Sequence, residues 1–345
     1  MFGANLEIGP EARVSGDAIV IGGDVRLSPG AEVGRHVVAG LLDAGLPVRA
    51  ADVDAGRVTE VFGDAVEPVR LDFTDPSTWT EAYTGVQFMF VLRPPQMANI
   101  ARDMAPSLEA AKQAGVAHMV LLSLQGAESN RVVPHAKLEA WLRQSGLEWT
   151  FVRPSFFAEN LISTHRSDIR DRDEIVVPAG DGATAFVTAA DVAAVATAAL
   201  LDPAAHRGKA WTPTGPQALT YTEVAGVLSD VLDRPIRYLR PGVLRYARYA
   251  RATLGMPWGM VGVTTAIYTL ARLGKAGGLT DHVRTVTGHE PMAFRDWAEQ
   301  HRDSWAHPRT PPPPTLDGNR MNVAVVGATG RSGRPLGEEG LGRGG

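Results

Sequence analysis

Residues 34–52 read GRHVVAGLLDAGLPVRAAD, and this stretch decides the fold. Four apolar residues have the spacing that places them on one face of a helix: Val37, Val38, Leu41 and Leu42. Gly45 is typical of the position just after a helix end, and residues 47–52 have the composition of a short strand. The stretch therefore predicts a helix that packs on a sheet and is followed directly by a strand of that sheet.

Strands and helices continue to alternate along the first half of the chain. Four more apolar segments are predicted as buried strands: residues 67–73, 86–92, 117–123 and 148–154. Helical segments separate them, notably residues 99–114 and 135–145. This alternation implies right-handed crossovers and a parallel sheet with helices on both faces. We therefore expect an α/β fold, a doubly wound parallel sheet, with a small and mostly helical lobe over about residues 155–306.

Composition excludes several classes of protein. The 34 basic and 38 acidic residues give a net charge of -4, which argues against a nucleic-acid partner. There is no cysteine, so disulfides and cysteine zinc sites are excluded and a cytoplasmic location is expected. The nine histidines lack metal-binding spacing, so we expect no metal site.

Two further features lie in the second half of the chain. The uncharged residues 254–271 are short for a transmembrane helix and contain Pro257, so we expect helices over a ligand pocket and no membrane partner. A basic stripe precedes them, which either faces solvent or binds an anionic ligand: Arg240, Arg245, Arg248 and Arg251.

The glycine-rich turn that normally precedes the first helix of such a sheet is displaced. Before the predicted helix, only Gly34 matches the last position of a Gly-x-x-Gly-x-x-Gly turn, and Ser28 and Ala31 stand at the other two. These substitutions remove the freedom for positive φ and for a close approach of phosphate. The complete motif, GATGRSG, follows the strand-like NVAVV near the end of the chain, with its glycines at Gly327, Gly330 and Gly333.

This order of segments leaves three arrangements open. In the first, residues 321–345 fold back after a linker with four consecutive prolines at residues 307–320. The strand of residues 321–345 then fills the centre of the sheet, and their glycine turn binds the pyrophosphate. In the second, AIVIGG at residues 18–23 fills the centre. In the third, residues 321–345 begin a second domain that is cut short. Residues 1–33, where short Val/Ile pieces are broken by Gly and Pro, are expected to form a β-rich extension.

Residues 34 to about 306 resemble the NmrA-like branch of atypical short-chain dehydrogenases/reductases, in particular ergot-alkaloid-type reductases and azoreductase-like proteins. Five stretches carry the resemblance: EPVRLDFTDPSTW, AAKQAGVAHMVLLS, HAKLEAWLRQSGLEWTFVRPSFFAENL, PAGDGATAFVTAADVAAVA and TPTGPQALTYTEVAGVLSDVLDRPIRY. The resemblance implies a Rossmann-type domain that binds NAD(H) or NADP(H), and a pocket between this domain and the lobe. It fails before residue 34, where the family has its first strand and glycine turn.

The resemblance also assigns cofactor-binding positions. Asp52 ends a strand where a carboxylate can accept hydrogen bonds from both ribose hydroxyls and would repel a 2′-phosphate, so NAD(H) is favoured over NADP(H). The arginine that the family often has next is Val53 here. The other cofactor-binding candidates, besides the three glycines of residues 327–333, are Gly34, Asp72, Leu92, Arg93, Pro94, Lys137 and Phe156.

The tyrosine of the Tyr-x-x-x-Lys reductases is missing. Val133 stands four residues before Lys137, where that tyrosine is expected. A hydride acceptor would therefore take its proton from another source, and His135 is a candidate relay. The catalytic candidates are Ser123, His135 and Lys137, and the substrate-binding candidates are Phe157 and Asn160.

Three functions remain open on the sequence. The first is a reductase that uses NAD(P)H to reduce a small quinone, imine or enone. The second is a non-catalytic dinucleotide sensor of the NmrA type with a protein partner, which the missing tyrosine favours. The third is a protein that has lost its nucleotide site together with its glycine turn. Fold likeness alone does not choose among them.

Overall fold

The structure is a computed structural model that describes residues 17–21 and 29–306. Its strands and helices are numbered in chain order. Seven parallel strands form the central sheet: β1 (Asp17–Ile21), β2 (Val48–Asp52), β3 (Glu67–Arg70), β4 (Val86–Leu92), β5 (His118–Leu122), β6 (Glu148–Val152) and β10 (Lys209–Trp211). Their order across the sheet is β10-β6-β5-β4-β1-β2-β3.

The centre of the sheet is occupied by β1. It pairs with β2 on one side and β4 on the other, so that Val20 lies between Ala50 and Phe90. This is the second of the three arrangements, and it corrects the fold-back arrangement: β1 already makes both backbone ladders, so no position is left there for residues 321–333. Those residues, like the rest of residues 307–345, lie outside the described part of the chain.

The parallel domain also begins earlier in the chain than the predicted boundary at residue 34. Its first helix starts at Pro29, and β1 precedes that helix. Contacts divide the chain into residues 1–307 and 308–345, and every described residue lies in the first unit.

Helices cover both faces of the sheet. One face carries α1 (Pro29–Asp43), α2 (Ala55–Phe62) and α8 (Ala189–Leu201); the other carries α3 (Trp79–Tyr83), α4 (Ile100–Asp103), α5 (Ala105–Gln113) and α6 (Pro134–Ser145). Strand β4 shows why two cores form: Phe90 and Leu92 point to the first face, whereas Met89 and Val91 point to the second. The predicted doubly wound α/β fold is confirmed.

A smaller lobe with its own core follows β6. Its strands are β7 (Phe156–Phe157), β8 (Glu174–Ile175), β9 (Ala183–Val187), β11 (Ala218–Thr220) and β12 (Arg237–Tyr238). The remaining helices are α7 (Arg166–Arg172), α9 (Pro203–His206), α10 (Tyr221–Leu232), α11 (Val243–Ala252), α12 (Trp258–Arg272), α13 (His282–Thr287) and α14 (Phe294–Gln300). Within residues 17–21 and 29–306, no helix has the length and apolar character needed to cross a membrane.

A close backbone contact at Gly215 gives a test of the lobe's packing. The amide of Gly215 donates to the carbonyl of Phe186 at 2.8 Å, and a Cβ added to Gly215 would lie only 2.1 Å from that oxygen. We expect Gly215→Ala to lower the free energy of unfolding by about 1–3 kcal/mol, because the backbones must move apart. Urea titration measures this loss. Gly226→Ala is the matched control, since a Cβ at that exposed helical position meets nothing within 4 Å; equal losses for both variants would contradict the prediction.

Candidate functional site

One edge of the sheet collects most of the predicted site residues. The strands are parallel, so their carboxyl ends lie along the same edge. The direction in which the chain adds strands reverses between β1 and β4, and ligands of doubly wound sheets bind outside such a reversal. The predicted residues that end or follow these strands are Asp52, Leu92, Pro94, Ser123 and Phe156.

Asp52 is held rigidly at the end of β2. It is only 1% exposed, and its Oδ1 accepts a hydrogen bond from the backbone N–H of Asp54 at 3.0 Å. Asp54 in turn caps the first turn of α2. Arg57, in that turn, places Nη1 4.0 Å from Asp52 and Nε 3.6 Å from Asp54. The end of β2 therefore offers a carboxylate with a cation beside it.

Gly34 brings α1 close to the sheet. A Cβ at this position would lie 3.2 Å from the Leu92 side chain and 4.0 Å from that of Val20. The structure thus places the predicted residues Gly34 and Leu92 next to each other at the centre of the sheet. Close helix–strand packing is the role of the third glycine in a dinucleotide-binding turn.

Asp72 organises the turn after β3. Its Oδ1 accepts from the backbone N–H and the hydroxyl of Thr74, at 2.8 and 2.7 Å, and its backbone carbonyl accepts from the indole of Trp79 at 2.8 Å. These bonds fix the shape of the turn at the end of the sheet beyond β2.

Arg93 holds the loop after β4 and influences His135. One guanidinium nitrogen of Arg93 donates to the carbonyls of Pro94, Pro95 and Met97, at 2.7, 3.2 and 3.0 Å. Burial, together with the positive charge of Arg93, lowers the pKa of His135 to about 4. His135 is therefore a neutral imidazole near pH 7. As a relay, it would accept a proton at one ring nitrogen and release another proton from the second nitrogen.

Ser123 belongs to a buried ionic cluster that joins β5, α6 and β6. Its hydroxyl donates to Oε1 of Glu139 at 2.6 Å. Arg153 donates to both oxygens of the same carboxylate, at 2.9 and 2.6 Å, and Arg143 adds a bond of 3.1 Å. Arg153 also pairs with Glu128 at 3.1 Å. Ser123, Glu139 and Arg153 are all buried, so the Ser123 hydroxyl has a fixed direction.

The charge state of this cluster is set by competing effects. Burial alone would raise the pKa of Glu139, but the hydrogen bonds from Arg153 and Ser123 and the charges of the two arginines hold it below its ordinary value. Lys137 lies on the opposite, exposed face of α6. The structure thus connects Ser123 to Glu139 and places Lys137 away from them.

The predicted substrate-binding residues lead from the sheet into the lobe. Phe156 and Phe157 form β7, which pairs with β9, and the Phe156 ring contacts those of Phe186 and Tyr268 at centroid distances of 5.6 and 5.7 Å. Asn160 donates from Nδ2 to the carbonyl of Phe157 at 3.1 Å. The segment is therefore anchored by the aromatic core of the lobe.

Glu159 is an ionisable group within this segment that the sequence did not single out. Its Oε1 accepts from the backbone N–H of Ala189, at the start of α8, and from the indole of Trp297, at 2.9 and 3.2 Å. No described group makes a hydrogen bond to its Oε2. Burial raises the pKa of Glu159 to about 7, and the negative charge of Glu32 on α1 adds to the rise.

The raised pKa predicts a pH-dependent stability. Between the ordinary pKa of 4.5 and about 7, the folded protein keeps a proton that the unfolded chain releases. The stabilising contribution is complete below pH 4.5 and is lost as the pH rises to 7, by about 1.4 kcal/mol per pH unit. We expect Glu159→Gln, whose amide oxygen can still accept both bonds, to lack this contribution, so that its free energy of unfolding relative to the wild type rises with pH across the interval. Glu81→Gln, at an exposed position, should retain it; a wild-type slope in Glu159→Gln would contradict the assignment.

Two residues of the site, Glu139 and Glu159, were not predicted. A signal for Glu139 exists, since it shares the buried face of α6 with Leu138 and Leu142. The predicted Gly327, Gly330 and Gly333 lie outside the described residues. Among the described side chains, no group of three or more His, Asp or Glu is placed to hold a metal ion.

Comparisons with known proteins agree with the observed fold. A family model described as NAD(P)H-binding matches residues 30–203. The chain is similar to the NAD(P)H azoreductase of Xenophilus azovorans, with 35% identity over 276 residues that cover 78% of this chain and 94% of that protein. Its fold is similar to that of the NADPH-dependent quinone oxidoreductase of Escherichia coli in complex with NADPH (TM-score 0.72, 22% identity, 82% of this chain and 99% of that one). It is also similar to the fold of the negative transcriptional regulator NmrA in complex with NADP (TM-score 0.64, 17% identity, 83% and 94%).

Proposed function

The chain belongs to the NAD(P)H-binding, NmrA-like family of atypical short-chain dehydrogenases/reductases, and from this we propose that it is a reductase that uses NAD(P)H to reduce a small quinone, imine or enone. The observation that carries the proposal is the 35% identity with an NAD(P)H azoreductase, which extends over the sheet and the lobe together. Because the likeness includes both the sheet and the lobe, we infer for this chain a reductase activity that requires both.

The edge of the sheet fits a nicotinamide dinucleotide. Asp52 supplies a buried carboxylate where the adenine-side ribose would lie, and Asp72 and Pro94 follow β3 and β4 at the same edge of the sheet. Gly34 allows α1 to lie close to the strands that support the phosphates. The bound cofactor would supply the hydride.

The residues near the proposed reaction centre bind and orient the substrate, and none of them is a protonated cationic acid placed to donate a proton. The Ser123 hydroxyl is directed to Glu139, and His135 is neutral near pH 7. Lys137 is exposed on α6. We infer that the proton comes from water or from the substrate itself, and that Phe157 and Asn160 contact the substrate.

Titration and turnover test this function. Quenching of protein fluorescence by NADH and NADPH measures binding, and turnover with a panel of quinones and enones measures reduction. Binding together with turnover supports the reductase. Absence of binding by the whole chain would exclude every dinucleotide function.

The predicted role of Gly327, Gly330 and Gly333 needs a separate test. If these glycines bind the pyrophosphate, a chain that ends at Thr315 should lose its affinity for NADH while it keeps its free energy of unfolding, because β1 still occupies the centre of the sheet. Unchanged affinity would instead assign the phosphates to the start of α1. Circular dichroism and fluorescence titration on both lengths of chain give the answer.

A non-catalytic sensor of the NmrA type is the second candidate function. Two observations favour it: Val133 replaces the usual tyrosine, and the fold is similar to that of the regulator NmrA in complex with NADP. In this case dinucleotide binding would occur without turnover, and a protein partner would be required. A cytoplasmic location stays a prediction for both candidates.

A further inference from the structure

Helices α11 and α12 of the lobe expose apolar side chains. Helix α12 packs on the core through Val261, Tyr268 and Ala271, whereas several of its large apolar side chains are exposed. These exposed side chains, here called the α12 outer face, are Trp258, Met260, Val263, Ile267 and Leu270, and they are 42–64% exposed. Ten of the thirteen exposed large apolar side chains of the described residues lie between Leu239 and Leu279, so they are concentrated in this part of the chain.

Cations predominate around this patch, and two nearby acids, Asp181 and Glu174, are paired with Arg240 and Arg237. Residues 234–280 contain eight arginines or lysines and no aspartate or glutamate, in a chain whose net charge is -4. Five of these cations form no ion pair with any described residue: Arg245, Arg248, Arg251, Arg272 and Lys275. Arg251 precedes α12, and Arg272 and Lys275 follow its outer face. The apolar patch therefore has unpaired positive charge at both ends.

We propose that the α12 outer face and its flanking cations bind the surface of an anionic phospholipid bilayer. An apolar helix face with basic residues at its borders lies in the membrane plane, where apolar side chains enter the acyl boundary and cations contact phosphates. Trp258 stands at the first turn of the helix, and tryptophan prefers this interface. The proposal revises the expectation of no membrane partner, because the sequence alone predicted that these helices would turn their apolar residues toward a ligand pocket.

A second copy of the chain fits the surface less well. If two α12 outer faces packed together, each copy would bring its own unpaired arginines and lysine to the contact. Residues 234–280 offer no carboxylate to neutralise them. Anionic headgroups supply the missing charge, and the bilayer core accepts the apolar residues.

Sedimentation with vesicles tests the proposal on the full chain. We expect binding to vesicles of equal parts phosphatidylcholine and phosphatidylglycerol, and much weaker binding to phosphatidylcholine alone. Binding should fall at 1 M salt, where the screening length is about 3 Å. Val263→Glu should weaken binding about tenfold or more. Val61→Glu, an exposed valine of α2, is the matched control and should bind like the wild type.

Two further measurements keep the test decisive. Tryptophan emission should shift to shorter wavelength on anionic vesicles, and Trp258→Phe should reduce that shift while it preserves sedimentation. Arg248→Glu leaves the apolar face intact. It should weaken binding to anionic vesicles and leave the weak binding to phosphatidylcholine vesicles unchanged. Equal sedimentation of Val263→Glu and Val61→Glu, or no binding by the wild type, would overturn the proposal. So would a dimer in light scattering that Val263→Glu dissociates, because a second copy would then cover the face.

Discussion

Glu139→Gln is expected to lower the free energy of unfolding by about 3 kcal/mol or more. The carboxylate of Glu139 is fully buried and accepts from Ser123, Arg153 and Arg143. Glutamine keeps the size of the side chain but leaves the Arg153 guanidinium, which is 8% exposed, without its buried counter-charge. Chemical unfolding of both proteins at neutral pH measures the loss.

The matched control for this variant is Glu109→Gln. Glu109 pairs with Lys112 at 3.8 Å on the surface of α5, where such a pair contributes about 0–1 kcal/mol. The pKa of Glu139 is lowered, so its stabilising contribution is present near neutral pH and is lost in acid, opposite in sign to that of Glu159. A loss for Glu139→Gln no larger than that for Glu109→Gln would show that Glu128 alone compensates Arg153.

The second large effect concerns the choice of cofactor. We expect Asp52→Asn to weaken NADH binding about 10- to 100-fold, since hydrogen bonds to a charged group contribute about 1.5–3 kcal/mol. Binding of NADPH should improve, because the repulsion of its 2′-phosphate is removed and Arg57 remains 4.0 Å from residue 52. Fluorescence titration with both cofactors gives the two dissociation constants.

Asp64→Asn, at an exposed position of the short helix that follows α2, is the control for the change in charge. It should leave both constants unchanged. If Asp52→Asn shifts NADH and NADPH equally, residue 52 does not contact the ribose, and the preference for NAD(H) would have to be abandoned.

The alternation of strands and helices was predictable because it depends on local periodicity. Residues 34–52 contain the apolar face of α1 and the acid that ends β2, and both lie where the pattern placed them. The centre of the sheet was not predictable in the same way. Two segments, 18–23 and 322–326, have equally strand-like composition, and only the pairing of β1 with both neighbours distinguishes them.

The buried ionic cluster shows a second limit of local pattern. Glu139 reads as one more charged residue on a helix, and its importance depends on Ser123 and Arg153, which arrive from two other elements. Lys137, two residues away, stands at the position of the lysine in Tyr-x-x-x-Lys reductases but lies on the exposed face. Long-range contacts decide which of two nearby charges is buried, and these do not appear in the spacing of the chain.

The position of β1 has a consequence for the order in which the protein is made. During synthesis, the N-terminal segments of a domain leave the ribosome before its C-terminal segments. Here β1, an interior strand of the sheet, is synthesised before both of its neighbours, so each later strand can be added at an existing edge. If this strand came from residues 321–333 instead, the nascent chain would have to hold two half-sheets apart until those residues were synthesised.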